Sequence, residues 1–272
     1  MHPAPSQTLR ATIVTLLLAL PATLFAQEAK LAAAVSPTAE THTLKAVTRA
    51  PLIVIGFAGG FIKRTSAVHG EVALADHLRK KYGALIHAEI FENHHSNEAH
   101  REILRLLAEN QATQNPSTPN KLSSFAEGGG PASAFVSTRP RIILYGHSWG
   151  ASEAVNEARR LQRDNIPVLL LIEVDGVPKR SQDDSIIPAN VAQAINFYQT
   201  EGLLHGRPAI SAADPAATQI IDNIHLTYKD NEVPTPGYPW FARTFTKRHI
   251  EIENDPRVWN QVEAMIQANL NP

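Results

Sequence analysis

Residues 141–150 constrain this chain more than any other stretch. There the apolar run Ile142-Ile143-Leu144-Tyr145 leads into Gly146-His147-Ser148-Trp149-Gly150. The run is β-rich and uninterrupted, as a buried parallel strand requires. Directly after Gly150 the apolar residues Ala151, Ala154, Val155, Ala158 and Leu161 recur at helical spacing. Glu153, Glu157, Arg159, Arg160 and Arg163 take the other faces. Strand, glycine-bounded serine and helix is the arrangement a nucleophilic serine needs. Its backbone must adopt a strained angle so that the hydroxyl points into a cleft, and the chain then approaches itself too closely for side chains at Gly146 and Gly150. The competing reading is a structural β–α turn.

The rest of the chain alternates in the same way. Residues 51–55 form an apolar strand entering the turn Gly56-Phe57-Ala58-Gly59-Gly60. A helix is expected over residues 70–82, with Gly83 as its terminator. A strand is expected over 84–91, then a helix capped by Asn97. Residues 168–174 are a near-continuous apolar strand ending at Asp175-Gly176. Pro188 opens a further helix carrying Val191, Ala194, Ile195 and Tyr198 in phase. Residues 220–228 read as a strand ending near Asp230, and Asp255-Pro256 as the cap of a last helix. Alternation of this kind predicts an α/β class: a doubly wound, mainly parallel sheet with helices on both faces. Residues 111–140, rich in Pro, Ser, Thr, Asn and Gly, read as a flexible insertion.

The first residues read differently. Arg10 supplies positive charge, residues 11–26 are apolar but interrupted by Pro21, and Ala26 is a small residue at a cleavage position. Residues 1–26 are therefore expected to be a signal peptide, 27–50 a linker or edge segment, and 51–272 one α/β domain exported to the periplasm or beyond. An uncleaved anchor is the alternative; after cleavage no stable membrane span is expected. The 272 residues contain no cysteine, so an exported fold must be held by its packed core. A net charge of -1 with balanced acids and bases argues against nucleic acid as a partner.

A serine hydroxyl needs a base, and the base needs a carboxylate to hold its tautomer. In a doubly wound sheet these groups converge from loops at the strand C-termini. The acid should therefore end a strand after the serine, and the histidine should follow. Asp175 is preferred because its strand is the clearer one, with Asp230 as the alternative acid.

In these motifs and this order the chain resembles the α/β-hydrolase superfamily over roughly residues 50–270, with the lipase, esterase and thioesterase branches nearest. The resemblance implies acyl transfer to Ser148 and hydrolysis by water, with no cofactor and a small-molecule or lipid acyl substrate. It implies His249 as base, ahead of His225 and His205, because His249 precedes the final helix. The oxyanion donors are then Trp149 N–H and Phe57 N–H. A binding protein of the same fold without catalysis and an acyltransferase using the same acyl-enzyme are the competing functions.

Two other readings are set aside. Residues 56–60 lack the spacing of a nucleotide-binding loop. His87, His94, His95, His100 and Glu92 show no His-Glu-x-x-His spacing, and the adjacent pair His94-His95 on a strand end would point to opposite sides, so no metal site is expected there. Tyr238-Pro239-Trp240-Phe241 lines an acyl pocket or packs a long loop.

Overall fold

Strand β1 (Leu52–Ala58) is buried along its whole length and apolar on both sides, as a strand covered by helices on both faces must be. In this computed structural model the described residues are 50–114, 141–179 and 183–270, all in the unit Thr48–Pro272. The expected signal peptide, all but the last residue of the linker, and the expected insertion beyond residue 114 lie outside them.

After β1 come α1 (Gly70–Tyr82), a single 3₁₀ turn, β2 (Ile86–Glu92), α2 (Ser96–Gln114), β3 (Ile142–His147), α3 (Trp149–Arg163) and β4 (Val168–Val174). The two-residue strands β5 (Ile186–Ile187) and β7 (Ser211–Ala212) pair with each other. Strands β6 (Val191–Tyr198) and β8 (Gln219–His225) join the main sheet, and α4 (Trp240–Phe245), α5 (Lys247–Glu253) and α6 (Pro256–Ala268) follow. The main sheet has six strands in the order β2-β1-β3-β4-β6-β8, all pairs parallel. The expected α/β class is found.

The period of two along each strand divides the core. Leu52 and Val54 face a cluster with Leu74 and Leu78 of α1 and Val258, Val262 and Ile266 of α6. Ile53, Ile55 and Phe57 face the opposite cluster, with Ile103 of α2 and Ala154, Val155 and Leu161 of α3. Helices therefore cover both faces. No helix among the described residues is long and apolar enough to cross a membrane.

Three expectations are corrected. The helix expected after Pro188 is strand β6. Val191, Ala194, Ile195 and Tyr198 do fit a helical stripe, but Val, Ile, Phe and Tyr favour a strand, and this segment pairs with both β4 and β8. Strand β1 runs on through Gly56-Phe57-Ala58, so the turn begins only at Gly59. Helix α2 continues to Gln114, four residues into the expected insertion, because Gln111, Ala112 and Gln114 are compatible with a helix.

Candidate active site

Strand β1 has β2 on one side and β3 on the other, so the chain reverses its direction of winding there. In an open parallel sheet such a point leaves a crevice beyond the strand C-termini. The turns after β1, β3 and β4 end at this crevice.

Ser148 sits between β3 and α3 with φ 57° and ψ -124°. A side chain at positive φ costs about 1–3 kcal/mol and persists only where the surroundings enforce it. Here Ser148 N–H donates to Val174 C=O at 3.0 Å, while Ser148 C=O accepts from Ala151 N–H at 3.1 Å and Val177 N–H at 3.2 Å. The two glycines have steric causes. A Cβ on Gly146 would lie 2.3 Å from the Gly150 carbonyl, and one on Gly150 would lie 2.0 Å from the Phe57 oxygen.

Asp175 follows β4 and is fully buried, also at positive φ (45°). His249 Nδ1–H donates to Asp175 Oδ2 at 2.6 Å. Gln199 Nε2 donates to the same oxygen at 2.9 Å. Oδ1 accepts from Gly206 N–H at 2.7 Å and Gln199 N–H at 3.2 Å. His249 is buried in α5, and its ring lies 4.5 Å from that of His147. Arg248, its neighbour, anchors this helix through Tyr228 C=O at 2.9 Å.

The structure thus brings Asp175 and His249 together and leaves Asp230 exposed on the chain after β8. His225 ends β8, stacked on Tyr198 and 3.1 Å from Thr200 Oγ1, and His205 is exposed. Among the described residues Ser148 Oγ makes no hydrogen bond.

Trp149 is the first residue of α3, where a backbone N–H has no partner within the helix. Phe57 is not at the turn. It lies inside the β1 ladder between Phe91 and Gly146, with its ring in the core. The apolar ring is drawn inward, and the chain leaves the sheet after Ala58. The residue that faces Ser148 is Gly59, the first after β1. A Cβ on Gly59 would lie 3.1 Å from Ser148 Cβ. Gly59 N–H donates to Glu71 Oε1 at 3.2 Å. Asn93 Nδ2 donates to Ala58 C=O at 3.1 Å and also to Gly60 C=O, which fixes the turn. The Phe61 ring packs edge-on against Trp149 at 5.8 Å.

Burial holds His147 well below the ordinary histidine pKa, with His249 and His69 acting in the same direction. It therefore stays a neutral imidazole beside the Asp175–His249 pair.

Gln199, Gly206, Asn93 and Glu71 were not legible as site residues. Gln199 follows the segment read as a helix, which hid its place at a strand C-terminus. Glu71 looks like an exposed first-turn residue of α1, and no local pattern marks it as buried. His94 and His95 lie past the end of β2, not within it, and their rings are 4.4 Å apart, so the expected opposite orientation is corrected. His100 Nδ1 bonds Glu157 Oε1 at 2.7 Å. Tyr238 is buried, whereas Trp240 and Phe241 are exposed on α4.

No protein-family model matches the chain, and no curated protein matches it. Among solved structures it is similar to the RedJ thioesterase of the prodiginine biosynthetic pathway in Streptomyces coelicolor, with 11% identity, coverage of 74% of this chain and 91% of that chain, and a TM-score of 0.33.

Proposed function

We propose that this protein is a serine hydrolase that cleaves carboxylic esters or thioesters through an acyl-enzyme on Ser148. The observation that carries the proposal is the 2.6 Å bond between His249 Nδ1 and buried Asp175, on the strand edge where Ser148 is held at φ 57°. Asp175 holds Nδ1 as the protonated nitrogen, which leaves the Nε2 lone pair as the base. Ser148 Oγ attacks the acyl carbon, and its proton passes to His249 Nε2. That proton then goes to the leaving alcohol or thiol as its bond to the acyl carbon breaks. Water repeats the sequence, and the carboxylic acid leaves with Ser148 regenerated. Closure of Ser148 Oγ onto Nε2 accompanies substrate binding, because such contacts commonly tighten only in the complex.

The oxyanion is received by Trp149 N–H and by a backbone N–H of the turn after Gly59, in place of Phe57. Gly59 N–H is already committed to Glu71, so the donor is Gly60 or Phe61. Export through residues 1–26 is part of the same reading, and N-terminal sequencing of the mature protein tests it.

The experiment is aryl-ester and thioester hydrolysis by Ser148→Ala, together with labelling by a fluorophosphonate. Wild-type protein labels at Ser148 and turns over; the variant does neither, losing at least about 10³-fold in kcat. Undiminished turnover by Ser148→Ala rules the proposal out. Formation of a new ester in the presence of added alcohol, without free acid, would make the protein an acyltransferase.

A further inference from the structure

Behind the Ser148 turn lies a second group of titratable side chains that the proposed hydrolysis does not use. His69 Nδ1 is 2.5 Å from Glu253 Oε1. His147 Nδ1 is 3.8 Å from Glu253 Oε2. Glu71, on the first turn of α1, spends Oε1 on Gly59 N–H, and its Oε2 is buried with no partner. Both ring nitrogens of His147 are likewise buried without a hydrogen bond. Glu71 is fully buried and Glu253 is 1% exposed, and among the described residues neither forms an ion pair with a lysine or arginine.

We infer that His69, Glu71 and Glu253 form a binding site for one divalent transition-metal ion of the zinc type, with His147 as the adjacent fourth donor. One ligand atom from each of His69, Glu71 and Glu253 lies within 4.8 Å of the others. Tetrahedral zinc, with bonds of about 2.0–2.2 Å, sets its donors roughly 3.4 Å apart, so the site forms by small side-chain rotations. Two imidazoles and two carboxylates suit zinc, whereas calcium requires six to eight oxygens and magnesium an oxygen octahedron.

Charge supports the same assignment. Two buried carboxylates without a cation must be protonated or be neutralised by an ion. A divalent cation balances both carboxylates together. On binding, the His69–Glu253 hydrogen bond is replaced by two bonds to the metal, His69 ligates as its Nε2–H tautomer, and displaced protons leave to solvent. The side chain of His69, 17% exposed, is the most exposed of the four. The ion would tie α1 to α5 and, through Glu71, hold the Gly59 turn that faces Ser148. This inference does not depend on the hydrolase reading.

The test is titration of the chelator-treated full chain with zinc, and with cobalt(II) as a spectroscopic probe. One equivalent is expected to bind, with tetrahedral visible bands for cobalt and a rise in thermal midpoint with zinc. Glu71→Gln and Glu253→Gln each weaken binding by at least about tenfold. His94→Ala combined with His95→Ala, which dismantles the surface group around Glu92, leaves it unchanged. Equal affinity in the glutamine variants, or loss only in the His94/His95 variant, overturns the inference. Should the glutamine variants fail to fold, zinc-edge absorption of wild-type protein decides: a shell of nitrogen and oxygen with two imidazoles supports the site, and the absence of bound zinc refutes it.

Discussion

Asp175 receives hydrogen bonds on both carboxylate oxygens, from His249, Gln199 and Gly206, and this makes it the most informative single position to alter. In Asp175→Asn, an amide placed at Oδ2 would point its own N–H groups at His249 Nδ1 and Gln199 Nε2. The imidazole then turns or changes tautomer and no longer offers Nε2 as a base. A kcat loss of about 10³–10⁴ with little change in KM is expected for aryl-ester hydrolysis. Asp230→Asn should stay within about twofold, because Asp230 is exposed and apart from this pair; the reverse ranking would move the acid to Asp230. The glycines make a steric prediction. Gly150→Ala puts Cβ against the Phe57 carbonyl, a β1 backbone atom that cannot swing aside, and should lower stability by roughly 1–3 kcal/mol in thermal denaturation. At this scale the sequence revealed the residues whose roles depend on local chain geometry. Gly146, Ser148 and Gly150 define a turn, and Asp175 ends an unmistakable strand. Glu71 was not legible, because its burial depends on α5, which is distant in sequence. Nor was the place of Phe57 inside β1, which its pairing with Phe91 of β2 and Gly146 of β3 sets.

Most elements were visible because each carries one dominant period. Helix α1 occupies the predicted residues, ended by Gly83 at φ 51°, and β4 is apolar at every position but Glu173. Strand β6 failed because Val191, Ala194, Ile195 and Tyr198 satisfy a helical stripe while Phe197 and Asn196 are also buried, a pattern that only its two strand partners explain. Asn196 is accommodated by donating to Arg207 C=O at 2.9 Å, which a single-sequence reading cannot foresee. Helix α6 was correctly begun at Asp255, and its cap yields a prediction for this element. Asp255 is buried, its Oδ1 accepts from Arg257 N–H at 2.8 Å, and its Oδ2 accepts from Tyr228 O–H at 3.0 Å. Asp255→Ala uncaps the helix and orphans a buried phenol, and should cost about 1–3 kcal/mol. Tyr228→Phe removes only the second of these bonds and should cost less. An equal cost for both variants would mean that the cap contributes nothing.

Across the whole molecule, a sheet covered on both faces leaves no solvent for a charge placed along its strands. Glu173 of β4 meets this condition. It is fully buried, both carboxylate oxygens lack partners, and it stands on the α3 side of the sheet, where a Cβ on Gly176 would lie 2.8 Å from its Oε2. Burial raises its pKa well above the ordinary value of 4.5, the charge of Asp184 raises it further, and Arg207 and Arg159 oppose the shift. An acid whose folded pKa is raised keeps its proton in the native state after the unfolded chain has lost it. Above a pH of about 4.5 the native state therefore binds more protons, and stability falls as pH rises until the folded pKa is passed. The slope from this one group is at most about 1.4 kcal/mol per pH unit. Glu71, Glu157 and Glu253, which burial also raises, tilt the curve in the same direction, so the group is isolated by subtraction. Glu173→Gln keeps the shape and removes the titration. The variant minus wild-type difference in unfolding free energy should rise steadily from pH 5 to pH 8, as followed by urea denaturation. A difference that is constant over that range would show that Glu173 is ionised in the folded protein, with Arg207 and Arg159 outweighing its burial.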